Sequence, residues 1–367
     1  MKYGSKKISK AGNIALTSPD KKEVNDAISI INDWRSLHLV ALDELQNCII
    51  PILRRHNVRS FSVSRRLKRI SSILNKLDRN PKSKLGTMQD IGGLRIIVPS
   101  MISLQRAYFI IIKNIPSNFE FTKAPVNYID APKDDSGYRS IHFIYKYHSD
   151  NSDVDGMKIE LQLRTKLQHS WAMAVETAEL VTGTALKSSQ GDENWITFFK
   201  VVSSLFAIKE KQPILKEHKE MNYGLKDLML TLYSMNSKYH FNDTLKALRV
   251  SNIVAKNENH KDGYYILTIN FETKRVSIKA FAKEDEEQAS ALYSELEQST
   301  IDREKENAVV LVSVPQMQQL QEAYPSYFLD TSKFLDAIDT MMNNCQRLGW
   351  VKKRNQNEFT AIGNIDN

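Results

Sequence analysis

Residues 158–176, KIELQLRTKLQHSWAMAVE, change their hydrophobic period halfway along. Ile159, Leu161 and Leu163 alternate with Glu160, Gln162 and Arg164, the period of two that sends successive side chains to opposite faces of a strand. After Thr165 the apolar residues Leu167, Trp171, Ala174, Val175 and Ala178 recur at helical spacing, with His169 and Glu176 among them. An acid, an amide and a base on one strand face bury a sheet poorly, but they suit a cleft that holds a charged ligand and a metal. A solvated edge strand shows the same alternation, so this stretch alone leaves both readings open.

The rest of the chain interleaves strands with helices, which implies a mixed α/β sheet covered by helices. Residues 1–21 are basic and read as a flexible arm, and residues 22–57 carry a helical stripe of Ile28, Ile31, Trp34, Leu37, Ala41, Leu45 and Ile49 that Pro51 interrupts near its end. A second helix is predicted over 62–79, with Leu67, Ile70, Ile73, Leu74 and Leu77 on one side and Arg65, Arg66, Lys68, Arg69, Lys76 and Arg79 on the others. Such a charge run suits a solvated face; its density makes a polyphosphate the rival explanation. LRIIV (94–98) reads as a buried strand with Asp90 and Gly92-Gly93 at its mouth, followed by a helix over 101–113, a short strand near 119–122, a turn-rich loop over 123–137 and a strand over 138–147.

From 183 to about 240 the pattern is helical, with Trp195, Phe198, Phe199, Val202, Leu205 and Phe206 on a core face. Composition turns polar over 241–263, which places a domain boundary there. Residues 261–342 then read as a small ββαβα-type module without a catalytic signature, and 351–367 as a disordered tail.

The length of 367 residues suits two or three domains, and 41% hydrophobic with 26% charged residues is enough apolar content for real cores. No apolar run approaches the roughly 20 residues of a membrane span, and the basic N-terminus lacks the apolar segment of a secretory signal, so a cytoplasmic protein is expected. Cys48 and Cys345 offer no metal-ligand spacing and are expected as reduced thiols. The net charge of +8 is moderate, so the location of the basic residues matters more than their total.

The chain contains no GxxxxGK[ST] phosphate loop, HExxH zinc helix or GxSxG elbow, and no His followed by Asp. Read together, its polar residues suit phosphate chemistry. Arg66, Lys68 and Lys76 are fit for triphosphate oxygens. Asp90 is a carboxylate ligand for magnesium, Tyr138 can stack on a base with Arg139 and His142 beside it, and Glu160 can serve as a metal ligand or as a base for an attacking hydroxyl.

RLKRISSILNK (66–76), DIGGLRII (90–97), GYRSIH (137–142) and ELQLRT with HSWA (160–172) stand in the order of the synthetase domain of the RelA/SpoT family, which this chain resembles. That family moves pyrophosphate from ATP to a ribose 3′-hydroxyl. The resemblance implies a nucleotidyltransferase-like fold over 22–240, with Arg66, Lys68, Lys76 and Arg95 on ATP and with Asp90 and Glu160 handling Mg2+ and activation. It puts Tyr138 against the acceptor base, with Arg139, His142, Lys133, Gln162, Arg164 and His169 completing the acceptor side. The implied partners are ATP and an acceptor, GDP or GTP, giving (p)ppGpp. A catalytically inactive nucleotide sensor is the reading from another class, and intact Asp90 and Glu160 argue against it.

Two departures bear on the acceptor. Neither the hydrolase nor the regulatory domains of the long family members are apparent, so a short, single-activity synthetase is expected. The helix after HSWA reads AVETAELVTG, where many alarmone synthetases carry basic residues. Toxic short members resemble this chain too; they pyrophosphorylate the 3′-CCA end of tRNA, and some carry a fused inhibitory C-terminal module. By that likeness Tyr324 and Tyr327 are candidate regulatory residues that would cover the ATP site, although two tyrosines beside Pro325 and Phe328 also suit plain core packing.

Overall fold

The computed structural model describes residues 3–182, 192–247, 252–255, 263–270, 273, 275–300, 307–313 and 331–351. Tyr324, Tyr327 and the tail beyond Val351 lie outside the described residues.

Two helices lead in, α1 (Ser5–Thr17) and α2 (Lys21–Arg55). Asp20 caps α2 by accepting the Lys22 backbone N–H at 2.8 Å, which satisfies one of the donors a helix leaves open at its start. Pro51 does not stop this helix, because it sits within the last turns and α2 runs on to Arg55. Residues 1–21 are not a bare arm: Ile8 and Ala11 of α1 are buried in the main core.

β1 (Ser62–Leu67) and α3 (Ile70–Arg79) follow, then β2 (Gly92–Val98), α4 (Met101–Lys113), β3 (Phe119–Phe121), β4 (Val126–Asn127), β5 (Ile141–Tyr147), β6 (Lys158–Thr165) and α5 (Lys166–Thr182). The single helix expected over 62–79 is therefore a strand and a shorter helix. The physical reason is tertiary: β1 pairs along its full length with β2, and those ladder bonds override the helical spacing of its basic residues.

Among the described residues four helices come next, α6 (Glu193–Lys209), α7 (Lys216–Glu220), α8 (Leu225–Tyr239) and α9 (Phe241–Ala247). The chain then forms β7 (Asn252–Ala255), β8 (Tyr264–Asn270), β9 (Arg275–Phe281), α10 (Glu286–Thr300), β10 (Asn307–Ser313) and α11 (Ser332–Arg347).

All described strands belong to one ten-stranded sheet in the order β3-β5-β6-β2-β1-β10-β8-β9-β7, with β4 on β5. The β2–β6 and β7–β9 pairs are parallel and the others antiparallel. The ββαβα order expected for the C-terminal part is present, but it does not form a separate module. β10 pairs with β1 through Arg65↔Ser313 and Arg66↔Val312, so the later strands continue the first sheet.

The main core joins α2 residues Ile31, Leu42, Leu45 and Ile49 to the apolar faces of β2 and β6, including Leu94, Ile96, Ile159, Leu161 and Leu163. The second core joins α5, α6 and α8 to Phe334, Leu335 and Ile338 of α11. Trp171 belongs to this second core and donates its indole N–H to the Phe199 carbonyl at 2.8 Å. No helix among the described residues is long and apolar enough to cross a membrane.

Candidate active site

The alternation in β6 sends Ile159, Leu161 and Leu163 into the main core and leaves Glu160, Gln162 and Arg164 on the other sheet face. Register extends that polar face sideways. Ser64, Arg95, Gln162 and His142 stand in one row across β1, β2, β6 and β5, and Arg66, Gly93 and Glu160 stand in the next. Gly93 leaves a gap between Arg66 and Glu160, where a Cβ atom would have only the Arg66 carbonyl within contact, at 3.7 Å.

Two clefts open on this face. The inner one is lined by Ser64, Arg66, Lys68, Arg95 and Gln162 among others. The outer one is lined by Lys76, Lys84, Lys123, Tyr128 and His142 among others. Asp90 and Glu160 line both, so the two carboxylates mark the place where the clefts meet.

Asp90 lies just before β2 and is held by two lysines. Lys68 Nζ is 2.9 Å from its Oδ2, and Lys76 Nζ is 3.1 Å from Oδ1 and 3.0 Å from Oδ2. Burial alone would raise this carboxyl, but Lys68 and Lys76 outweigh it and hold Asp90 far below the usual carboxylate range. Burial in turn pushes the Lys68 ammonium down, against the pull of Asp90.

Glu160 belongs to a closed ring of polar side chains. His142 Nδ1 meets its Oε1 at 2.8 Å and Gln162 donates to its Oε2 at 2.6 Å. Arg164 donates to Gln162 Oε1 at 2.8 Å and also to the Tyr138 hydroxyl. The Tyr138 hydroxyl meets His142 Nε2 at 2.7 Å, which closes the ring. Burial would raise the Glu160 carboxyl; His142 and Gln162 overcome that and keep it below its ordinary value. Burial pushes the Tyr138 phenol up.

The turn that delivers Tyr138 depends on Gly137, whose φ of +82° is the left-handed region that favours glycine. A Cβ atom there would also sit 3.0 Å from Cβ of Ser203 in α6. Arg139 anchors the same turn from within, donating to Ser203 Oγ and to the Ile129 carbonyl, each at 3.0 Å. Burial pushes its guanidinium down to about 10.

The structure thus brings together Arg66, Lys68, Lys76, Asp90, Arg95, His142, Glu160 and Gln162 on the cleft walls, with Tyr138 and Arg164 directly behind them. Arg139 and the buried His169 do not line either cleft. Tyr138 is 9% exposed, with the Arg164 guanidinium 5.0 Å and Lys133 Nζ 5.6 Å from its ring centre. The aromatic ring on the cleft wall is Tyr128, which packs edge-on against His142 at 5.1 Å.

Sequence reasoning passed over Tyr128 and Lys123, which sit in a loop read only for its turn formers. The available signal was the five-residue interval at which Lys123, Tyr128, Lys133 and Tyr138 alternate base and aromatic. Among the described residues no group of three or more His, Cys, Asp and Glu side chains is placed to hold a metal ion.

This sheet face sets two carboxylates among cationic side chains, a charge pattern that suits phosphate groups. Residues 65–180, which contain nearly all of it, match the family model described as the region found in RelA / SpoT proteins. The fold is similar to small alarmone synthetase 1 from Bacillus subtilis at 24% identity and a TM-score of 0.41, covering 51% of this chain and 92% of that one. It is also similar to small alarmone synthetase 2 from Bacillus subtilis at 22% identity and a TM-score of 0.41, covering 49% and 93%. A GTP pyrophosphokinase family protein from Streptococcus pneumoniae aligns at 21% identity and a TM-score of 0.38, covering 50% and 88%. No curated protein matches this chain.

Proposed function

We propose that this protein is a pyrophosphokinase that transfers the β,γ-pyrophosphate of ATP to the ribose 3′-hydroxyl of GDP or GTP. The observation that carries the reading is the meeting of Asp90 and Glu160 at the junction of two basic clefts. One cleft for a donor and one for an acceptor, joined at ionised carboxylates, is what such a transfer requires.

The acceptor 3′-oxygen attacks the β-phosphorus, the bond from that phosphorus to the α–β bridging oxygen breaks, and AMP leaves. The hydroxyl proton passes to Glu160. A carboxylate held below its ordinary value is a weak base, but phosphoryl-type transfers have loose transition states in which positioning and charge neutralisation matter more than early proton removal. The contacts from His142 and Gln162 fix the carboxylate for that role. Arg66, Lys68, Lys76 and Arg95 supply positive charge for the donor phosphates.

The donor set fits Mg2+, which commonly takes only one or two protein carboxylates and completes its shell with water and phosphate oxygens. Asp90 and Glu160 would hold it, and it would neutralise charge on the pyrophosphoryl group. Lys68 and Lys76, now on Asp90, are then free to move onto phosphate oxygens.

The test is transfer of label from γ-labelled ATP by the full-length protein in magnesium, with GDP, GTP and bulk tRNA offered in parallel. Label on GDP or GTP is expected, and its loss in Glu160→Ala. Label on tRNA alone would replace the acceptor, and transfer to none of the three would overturn the proposal.

A further inference from the structure

α10 lies among the C-terminal strands, yet one of its side chains ends on the backbone that carries Lys68. Glu297 is 6% exposed. Its Oε1 accepts the Ile70 backbone N–H at 2.8 Å, and its Oε2 accepts from the Arg35 guanidinium at 2.8 Å. Arg35 is 1% exposed and donates its Nε to the Lys68 carbonyl at 3.0 Å. Asn32 and Tyr293 take its remaining bonds.

One carboxylate and one guanidinium therefore hold both sides of the Lys68–Arg69–Ile70 turn, the carbonyl before it and the N–H after it. This turn is where β1 ends and α3 begins. The residue at the N-cap, Arg69, makes no side-chain cap bond. The cap comes instead from Glu297, 227 residues along the chain. A carboxylate at a helix N-terminus is favoured both by the open N–H groups and by the helix dipole. The same turn sets Lys68 on Asp90 and starts the helix that brings Lys76 to the same carboxylate.

Glu297 lines neither cleft. Its neighbours on α10, Ala289 and Tyr293, belong to the main core beside α2. Any effect on the site must travel through the backbone it holds.

We propose that Glu297 is a positioning residue: through the Ile70 amide and Arg35 it fixes the turn that aims Lys68 and Lys76 at the donor phosphates. The C-terminal part of the chain then completes the donor site. This rests on the pyrophosphokinase reading, since it assigns those lysines to ATP.

The experiment uses the full-length protein in magnesium with an α,β-methylene analogue of ATP. Binding and melting temperature are measured for wild type, Glu297→Gln, Glu297→Asp and Gln298→Ala. The Asp variant keeps the charge beside buried Arg35 but is too short to reach both partners, so it stays informative if the Gln variant fails to fold. Affinity is expected to fall about tenfold in Glu297→Gln and about threefold in Glu297→Asp. In transfer assays the loss should fall on KM for ATP more than on kcat. Gln298→Ala, an exposed neighbour on the same helix that touches neither Ile70 nor Arg35, should bind like wild type.

Wild-type affinity in folded Glu297 variants, with only the melting temperature lowered, overturns the proposal. Hydrogen exchange at the Ile70 amide reads the turn without ATP, and separates this claim from the function it rests on. Faster exchange in Glu297→Asp is expected even if no nucleotide binds, and unchanged exchange contradicts the anchoring.

Discussion

Tyr138 shows how one hydroxyl can matter to a carboxylate it does not touch. It receives a hydrogen bond from Arg164 and meets His142, which in turn holds Glu160. Tyr138→Phe removes that link while keeping the packing of the ring. About 1–2 kcal/mol of stability should be lost, the usual cost of a buried polar partner left unpaired, and transfer should fall about tenfold if Glu160 loses its fixed orientation. Denaturant melts and initial rates check the two parts. A residue that lines neither cleft gives the pH prediction. His38 is 2% exposed, and burial pushes its imidazole down to about 4. Its pKa is lower folded than unfolded, so its contribution is full above the ordinary value of 6.5 and is lost as pH falls toward about 4. The span corresponds to about 3 kcal/mol at most. Melting temperature should drop across that window, and His38→Gln should flatten the drop. Much of the candidate site was legible because polar side chains on a β face need a reason: Glu160 and Gln162 were visible from alternation and Asp90 from its place at a strand mouth. Arg139 was not, because its side chain turns inward to Ser203, and nothing in GYRSIH distinguishes a buried arginine from an exposed one.

Among the elements, β6 and α5 were legible because their period switches sharply, and α4 because its apolar stripe is uninterrupted. β1 was misread for a specific reason. Val63, Arg65 and Leu67 alternate with Ser62, Ser64 and Arg66, but the inward-facing residue in the middle is an arginine. Arg65 is 2% exposed and is neutralised by Asp43 of α2 at 2.5 Å, a partner that only the tertiary fold supplies. The turn between β4 and β5 offers the clearest test at this scale. Gly137→Ala would meet both a left-handed φ and Cβ of Ser203 at 3.0 Å. It should cost about 1–3 kcal/mol and move Tyr138 with it. A lower melting temperature together with weakened acceptor binding is expected, whereas a thermal shift with unchanged binding would show that the turn is only structural.

For the whole molecule, the C-terminal part is integral rather than appended. β10 covers the edge of β1 beside the clefts, and α11 inserts Phe334, Leu335 and Ile338 into the second core. The polar stretch over 241–263 suggested a boundary because composition reports exposure, whereas sheet continuity depends on pairing between distant strands. Removing everything after residue 240 should therefore destabilise the remainder. Each large apolar side chain lost from a core costs about 2–5 kcal/mol, against a total stability of about 5–15 kcal/mol. The truncated chain should melt at least about 10 °C lower or fail to fold. A shortened protein with an unchanged melting temperature would mean that the two parts are independent. The proposed pyrophosphoryl transfer needs this one sheet to bring a donor and an acceptor together. Its most direct test is the nucleotide balance after incubation of the full-length protein with ATP, magnesium and GDP or GTP, read by anion-exchange chromatography. AMP released in equal amount to a 3′-pyrophosphorylated acceptor is expected, and neither product from Glu160→Ala. Release of ADP or free phosphate in place of AMP would contradict it.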